Sequence, residues 1–171
     1  MGRASTKENK SIYQTTREEL KLTREKASDL LEGIPPEKLE KIENGKVAIH
    51  PDDVLLMSQK YGKPSLCNYY CSHECSIGKE YVPEVHLKDL ASIVLEMLAS
   101  LQSVNKTKER LIEIAADGII SDDEIDDFIQ IQEELERISI TVEALQLWAE
   151  KMLADGAIDP EQYNQRKNKE L

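Results

Sequence analysis

The apolar positions of this chain recur at steps of three and four residues, which is the spacing of amphipathic helices. No segment sustains the two-residue alternation of apolar and polar side chains that is typical of strands. Thr23 matches a helix N-cap, and Asn44 with Gly45 matches a helix C-terminus. The first part of the chain therefore predicts five short helices, at residues 12–22, 23–31, 35–43, 51–62 and 64–75.

A different pattern begins after residue 86. One amphipathic helix is marked by Leu87, Leu90, Val94 and Leu101, and a second helical stretch follows to residue 116. A long helix is predicted from Ser121, with the apolar stripe Ile125, Phe128, Leu135, Ile138, Val142, Leu145, Ala149 and Met152. Helices of this length and spacing form bundles or coiled pairs. With residues 76–85 as a linker, the sequence predicts an all-α protein of two modules, 1–80 and 81–171.

Charge separates the two modules further. The 171 residues carry a formal net charge of −11, yet residues 1–60 hold 11 basic and 11 acidic side chains. Residues 86–171 hold 9 basic and 19 acidic side chains, so nearly all of the excess lies there. Only the first module can approach a phosphate backbone without strong repulsion. The chain has no apolar run of about 20 residues and no apolar N-terminal segment, which predicts a cytoplasmic protein without membrane contact.

Three cysteines fall within one predicted helix, at Cys67, Cys71 and Cys75, with His73 between them. Thiolates beside an imidazole are ligands for zinc or an iron–sulfur cluster, which would make this segment a thiol or metal sensor. On a regular helix, however, the three sulfurs span about 12 Å, too far for one metal ion. The alternative is that the cysteines pack as small apolar residues. The sequence favours packing, and we expect no cofactor.

The second and third predicted helices, joined by a turn at Gly33, have a helix-turn-helix arrangement. Gly33-Ile34 and the segment Ile42-Glu43-Asn44-Gly45-Lys46 resemble the Cro/C1 repressor-like (XRE) family, and about a third of the chain takes part in this resemblance. The resemblance implies a five-helix fold like that of the lambda repressor. It also implies that Arg17 pairs with Glu43 behind the third helix, since a buried carboxylate needs a cation.

The third helix is the element that such a protein places in the major groove. Its candidate contact residues are Pro36, Glu37, Lys38, Lys41 and Lys46. Lysines can bind phosphate, whereas the prolines donate nothing from their backbone and an acidic residue is repelled. Basic residues near the start of the chain could add an arm, namely Arg3, Lys7 and Lys10. The turn before this helix is one residue longer than is usual in the family.

These observations predict a non-enzymatic, sequence-specific DNA-binding transcriptional regulator. The alternative is a protein-interaction adaptor that uses the same scaffold without binding DNA. No catalytic constellation or phosphate-binding glycine loop is visible, because His50, His73 and His86 lie in unrelated segments. The apolar stripe of the second module is too wide for one partner helix to cover. We therefore expect a homodimer through residues 86–155.

Overall fold

The computed structural model describes residues 9–116 and 118–168, and these residues form helices joined by turns and short extended segments. The helices are α1 (Ile12–Glu19), α2 (Arg24–Leu31), α3 (Pro36–Glu43), α4 (Pro51–Tyr61), α5 (Ser65–His73), α6 (Gly78–Tyr81), α7 (Leu90–Ala115), α8 (Ile125–Ala154) and α9 (Pro160–Lys167). The predicted all-α class is confirmed: short packed helices are followed by two long ones.

Local signals set most of the helix ends in the first part of the chain. The Thr23 side chain accepts a hydrogen bond from the Lys26 amide at 3.3 Å, which caps the start of α2. Gly45 and Gly62, just beyond the ends of α3 and α4, have φ angles of 66° and 61°. Glycine adopts this left-handed conformation without a steric penalty, so each helix ends shortly before its glycine.

The short helices enclose an apolar core. Its fully or almost fully buried members come from α1 to α5 and the turns between them: Tyr13, Ala27, Leu31, Ile34, Leu39, Ile42, Ile49, Val54, Met57, Tyr61 and Leu66. Cys67 and Tyr70 pack against this cluster from α5. Leu39 and Ile42 of α3 pack into this core, so one side of α3 is buried and the opposite side faces solvent.

Several predicted boundaries differ from the structure. The first helix ends at Glu19 rather than at residue 22, because Lys21 turns left-handed and lets the Leu22 amide donate to the Arg17 carbonyl at 3.1 Å. The two stretches predicted before residue 116 are one helix, α7. The long helix begins at Ile125 rather than at Ser121, where the Glu124 carboxylate instead accepts from the Ser121 amide at 3.0 Å.

The predicted linker at residues 76–85 also contains a helix. The four residues of α6 pack on α5, and Gly78 lies so close that a Cβ atom there would be 2.1 Å from the Cys71 carbonyl oxygen. Glycine is required at this position because of the close approach of two backbones, not because a flexible connection is needed.

The long helices α7 and α8 pack together as an antiparallel pair. Ile93, near the start of α7, is buried in a cluster with Ala144 and Leu147 near the end of α8. At the other end of the pair, the Arg110 Nε atom donates to the Asp127 carboxylate at 2.6 Å. These contacts align the helices over most of their length.

Contacts divide the chain into two compact units, residues 1–83 with 150–171, and residues 84–149. In the sequence-based division, residues 150–171 belong to the second predicted module, 81–171. Within the described ranges, 9–116 and 118–168, no helix combines the length and the apolar character that crossing a membrane requires.

Candidate nucleic-acid interface

Helices α2 and α3 follow one another in the chain, and the turn between them runs from Glu32 to Pro35. The residue that ends α2 is Glu32, which adopts a left-handed conformation with φ of 54°. Pro35 then takes an extended conformation and Pro36 begins α3, where the missing proline amide costs no hydrogen bond. Glu32 is exposed, and its left-handed conformation is costly for a residue that carries a side chain.

A buried ion cluster holds α3 against the helices behind it. The Arg17 guanidinium donates twice to the Glu43 carboxylate, from Nε at 2.5 Å and from Nη2 at 2.9 Å. Its remaining nitrogen, Nη1, donates to the Leu22 carbonyl at 2.6 Å. The hydrogen bond to Glu43 raises the pKa of Arg17 above its usual value. The pair that the family resemblance implies is therefore present, and it joins the end of α3 to α1.

Arg24 is a member of this cluster that the sequence analysis missed. Its Nε atom donates to the second Glu43 oxygen at 2.9 Å, so that one buried carboxylate receives two guanidinium groups. The side chain of Glu43 is 1% exposed, whereas that of Arg24 is 32% exposed. An arginine in the first turn of α2 was the available signal, but its partner lies 19 residues away and only the fold shows it.

The outward side of α3 carries charges of both signs. Glu37, Lys38, Glu40 and Lys41 are exposed, Pro36 is half-buried, and Lys46 is exposed just beyond the end of the helix. Buried residues occupy the inner side of the helix. Of the five candidate contact residues, the structure places four in solvent. Together with Glu40 they form what we call the α3 surface, which consists of Glu37, Lys38, Glu40, Lys41 and Lys46.

Lys38 differs from the other two lysines of the α3 surface. Its ammonium group donates to the Asp53 carboxylate of α4 at 2.9 Å. This contact neutralises part of its charge and holds the side chain toward α4. Lys41 and Lys46 consequently carry most of the positive charge that the α3 surface can offer to a phosphate.

The basic arm predicted at the start of the chain is described only in part. Arg3 and Lys7 lie outside the residues that the structure describes. Lys10 forms an ion pair with Glu18 of α1 at 2.6 Å, and the hydrogen bond from Lys10 is the main cause of a lowered pKa at Glu18. Lys10 thus stabilises the start of the first unit, and its charge is largely offset there.

The cysteine segment belongs to the unit that contains α1 to α6, which we call the short-helix unit. Cys67, Cys71 and Cys75 are free thiols of intermediate burial. Burial raises the pKa of the Cys71 thiol and so disfavours its thiolate form. The imidazole of His73 stacks on the Tyr69 ring at 4.5 Å. In the part of the chain that the structure describes, no three His, Cys, Asp or Glu side chains are grouped to hold a metal ion.

A second polar feature, which the sequence analysis missed, lies between α7 and α8. Glu134 is 5% exposed, and its two carboxylate oxygens accept from the hydroxyls of Ser103 at 2.8 Å and Thr107 at 2.9 Å. These hydrogen bonds lower the pKa of Glu134, so the group is ionised at neutral pH. A groove of about 420 Å³ opens beside it, lined in part by Ala99, Arg137 and Ile140.

The description of this architecture rests on the chain's own sequence and structure. No family model, no curated protein sequence and no solved structure matches this chain.

Proposed function

We propose that the protein is a sequence-specific DNA-binding regulator of the Cro/C1 repressor-like type, in which α3 enters the major groove. The observation that carries this proposal is the α3 surface itself, an exposed helix face at the second position of a helix-turn-helix. The family resemblance of residues 33–46 supports the same assignment.

The rigidity of α3 supports the proposal as well. A recognition helix must present its side chains in one orientation, because base edges are read by hydrogen bonds of defined geometry. The two guanidinium groups on Glu43 tie the end of α3 to α1 and α2. The buried side chains of Leu39 and Ile42 hold the same helix from its inner side.

The charge on the α3 surface limits how the protein can bind DNA. Lys41 and Lys46 are the main phosphate contacts in the proposal, whereas the carboxylates of Glu37 and Glu40 repel phosphate groups. Each neutralised phosphate contributes about −0.9 to the slope of log K against log salt. Two lysines therefore give a slope of about −1.8 for each bound subunit.

Selection of random duplex sequences by the purified protein at low salt tests the proposal. We expect one enriched motif, and we expect Lys41→Glu to abolish its binding, because the substitution replaces a cation by an anion on the contact surface. Lys79→Glu makes the same charge change at an exposed position of α6 and serves as the matched control, with binding close to that of the wild type. The absence of any enriched motif, or equal effects of the two substitutions, would contradict the proposal.

Releasing Lys38 provides an independent prediction. Asp53→Asn removes the charge that holds Lys38 but keeps the shape of the side chain. We expect tighter binding of the selected duplex and a salt slope steeper by about 0.9 for each subunit, because one more lysine reaches a phosphate. Asp52→Asn removes the same charge from the neighbouring, exposed residue and should change the slope little. Salt titrations of both variants by fluorescence anisotropy measure the difference.

The adaptor is the second candidate, and the pairing of Lys38 with Asp53 is the observation that favours it. That contact, together with Glu37 and Glu40, leaves the α3 surface nearly neutral. A neutral, rigid helix face suits a protein partner better than a polyanion. The adaptor replaces the regulator if the selection yields no motif and Lys41→Glu leaves duplex binding unchanged.

A further inference from the structure

The groove beside Glu134 has the size of a small-molecule site. Its volume of about 420 Å³ falls within the range of ligand pockets in proteins, about 300–1,000 Å³. Ala99 and Arg137, which line it, are exposed, so a ligand reaches the groove from solvent without a rearrangement of the helices. We call it the α7–α8 groove, and besides Glu134 its lining includes Ala99, Ser100 and Ser103 of α7 and Arg137, Ile140 and Thr141 of α8.

Glu134 is the unbalanced charge of the α7–α8 groove. Two other charged side chains line the groove, and each has a partner of opposite sign. The Glu96 carboxylate lies 2.7 Å from the Lys88 ammonium, and the Arg137 guanidinium lies 4.0 Å from the Glu133 carboxylate. In the described part of the chain, Glu134 forms no ion pair, since the groups that donate to it are neutral. A buried carboxylate without a cation is costly, and a cation in the groove offsets that cost.

The hydroxyl groups of the α7–α8 groove are placed to accept hydrogen bonds from a ligand. Ser100 and Thr141 each donate to a backbone carbonyl in the preceding turn of their own helix, at 2.9 Å and 2.8 Å. Ser103 donates to Glu134 at 2.8 Å. A hydroxyl has a single proton, so each of these oxygens keeps only lone pairs for a ligand. The groove therefore favours a ligand with several donors, which is what an ammonium group provides.

The remaining lining of the α7–α8 groove indicates that the cation has an apolar body. Ile140 and the methyl groups of Ala99 and Thr141 contribute carbon surface, which a bare ion leaves in contact with water. A divalent metal ion needs several oxygen ligands, and the described residues contain no group of three side chains able to supply them. An anion is repelled by Glu134.

We infer that the α7–α8 groove binds a small organic cation, a protonated amine with an apolar body. Its ammonium group donates to the Glu134 carboxylate, and its body covers Ile140 and Ala99. The inference concerns a different unit from the one that contains the α3 surface, and it does not require that the protein binds DNA.

Tryptamine is the probe that tests this inference on the purified full chain, because it joins one ammonium group to an apolar ring system. Tryptophol has a hydroxyl in place of the ammonium group and is the neutral control. We expect tryptamine to bind about tenfold more tightly, because a hydrogen bond to a charged group contributes at least this much. Titrations followed by backbone amide shifts in nuclear magnetic resonance spectra measure both dissociation constants.

The same spectra locate the site. The largest shifts on adding tryptamine are expected within residues 96–103 and 134–141, the two segments that line the α7–α8 groove. Tryptamine that fails to saturate the protein at millimolar concentration, equal affinities for tryptamine and tryptophol, or shifts centred on other segments would each overturn the inference.

Glu134→Gln removes the charge and keeps the shape of the side chain. Its affinity for tryptamine should fall about tenfold, to that of tryptophol, while its affinity for tryptophol stays unchanged. Glu136→Gln removes the same charge from an exposed position of α8 outside the groove, and both affinities should match the wild type. Equal losses of tryptamine affinity in the two variants would show that Glu134 does not hold the ammonium group.

A second pair of variants keeps the test decisive if Glu134→Gln fails to fold. Ala99→Phe adds a ring to the groove from an exposed position, and both probes should bind at least tenfold more weakly because the ring takes their place. Ala91→Phe adds the same ring at an exposed α7 position outside the groove and should bind both probes as the wild type does. Equal affinities of these two variants for tryptamine would overturn the inference.

Discussion

Glu43→Ala is expected to lower the free energy of unfolding of the short-helix unit by about 3–5 kcal/mol. The substitution leaves the Arg17 guanidinium, which is 7% exposed, in the protein interior without its carboxylate partner. An uncompensated buried charge is more costly than the ion pair is stabilising, because water can no longer solvate it. Urea unfolding followed by far-UV circular dichroism measures the change.

Two further variants separate this explanation from a simple loss of contacts. Arg24→Ala removes a guanidinium from the same carboxylate, but this side chain is one-third exposed, and the loss should be about 1 kcal/mol. The double variant Arg17→Met with Glu43→Leu removes both buried charges and should recover most of the stability, since apolar replacements of a buried pair are often neutral. A double variant as unstable as Glu43→Ala would contradict the role given to charge.

Gly78→Ala is expected to destabilise the same unit by about 1–3 kcal/mol, which is the usual cost of overpacking. The added Cβ would lie 2.1 Å from the Cys71 carbonyl oxygen and 2.7 Å from its carbon. These are backbone atoms, which cannot rotate away as a side chain can, so α6 must move off α5. The midpoint of urea unfolding should fall accordingly.

Gly33→Ala is the matched control for Gly78→Ala. A Cβ at this position would be 3.8 Å from the Leu31 carbonyl oxygen and 4.0 Å from Leu56, which are ordinary contact distances. Alanine restricts the unfolded chain more than glycine does, so this variant should be more stable by about 0.4–1 kcal/mol. Effects of the same sign in the two variants would show that the close approach of α6 to α5 does not decide the outcome.

The features that were predicted correctly depend on short stretches of sequence. Thr23 caps α2 through an amide three residues away, and Gly45 and Gly62 follow the last residues of their helices. The last described helix begins in the same local way, because the Asp159 side chain accepts from the Gln162 amide at 3.3 Å. Such contacts join residues within one turn, so the order of residue types is enough to specify them.

The Arg17–Glu43 pair spans 26 residues, and the sequence indicated it only through the family resemblance. Arg24, which binds the same carboxylate, was not anticipated, and neither were the hydroxyls of Ser103 and Thr107 on Glu134. In these cases the partner is chosen by how helices cross. The residue types alone allow many pairings of similar energy.

Periodicity and capping act over a few residues, so the order of residue types was enough to predict that the regular structure of the described part is helical and where most of its helices end. Tertiary structure decided the features that bear on function. Lys38 is held by Asp53 from another helix, and Gly78 lies at a close backbone contact where a linker was expected. Both depend on distances between elements that are far apart in the chain, and only the packed core sets those distances.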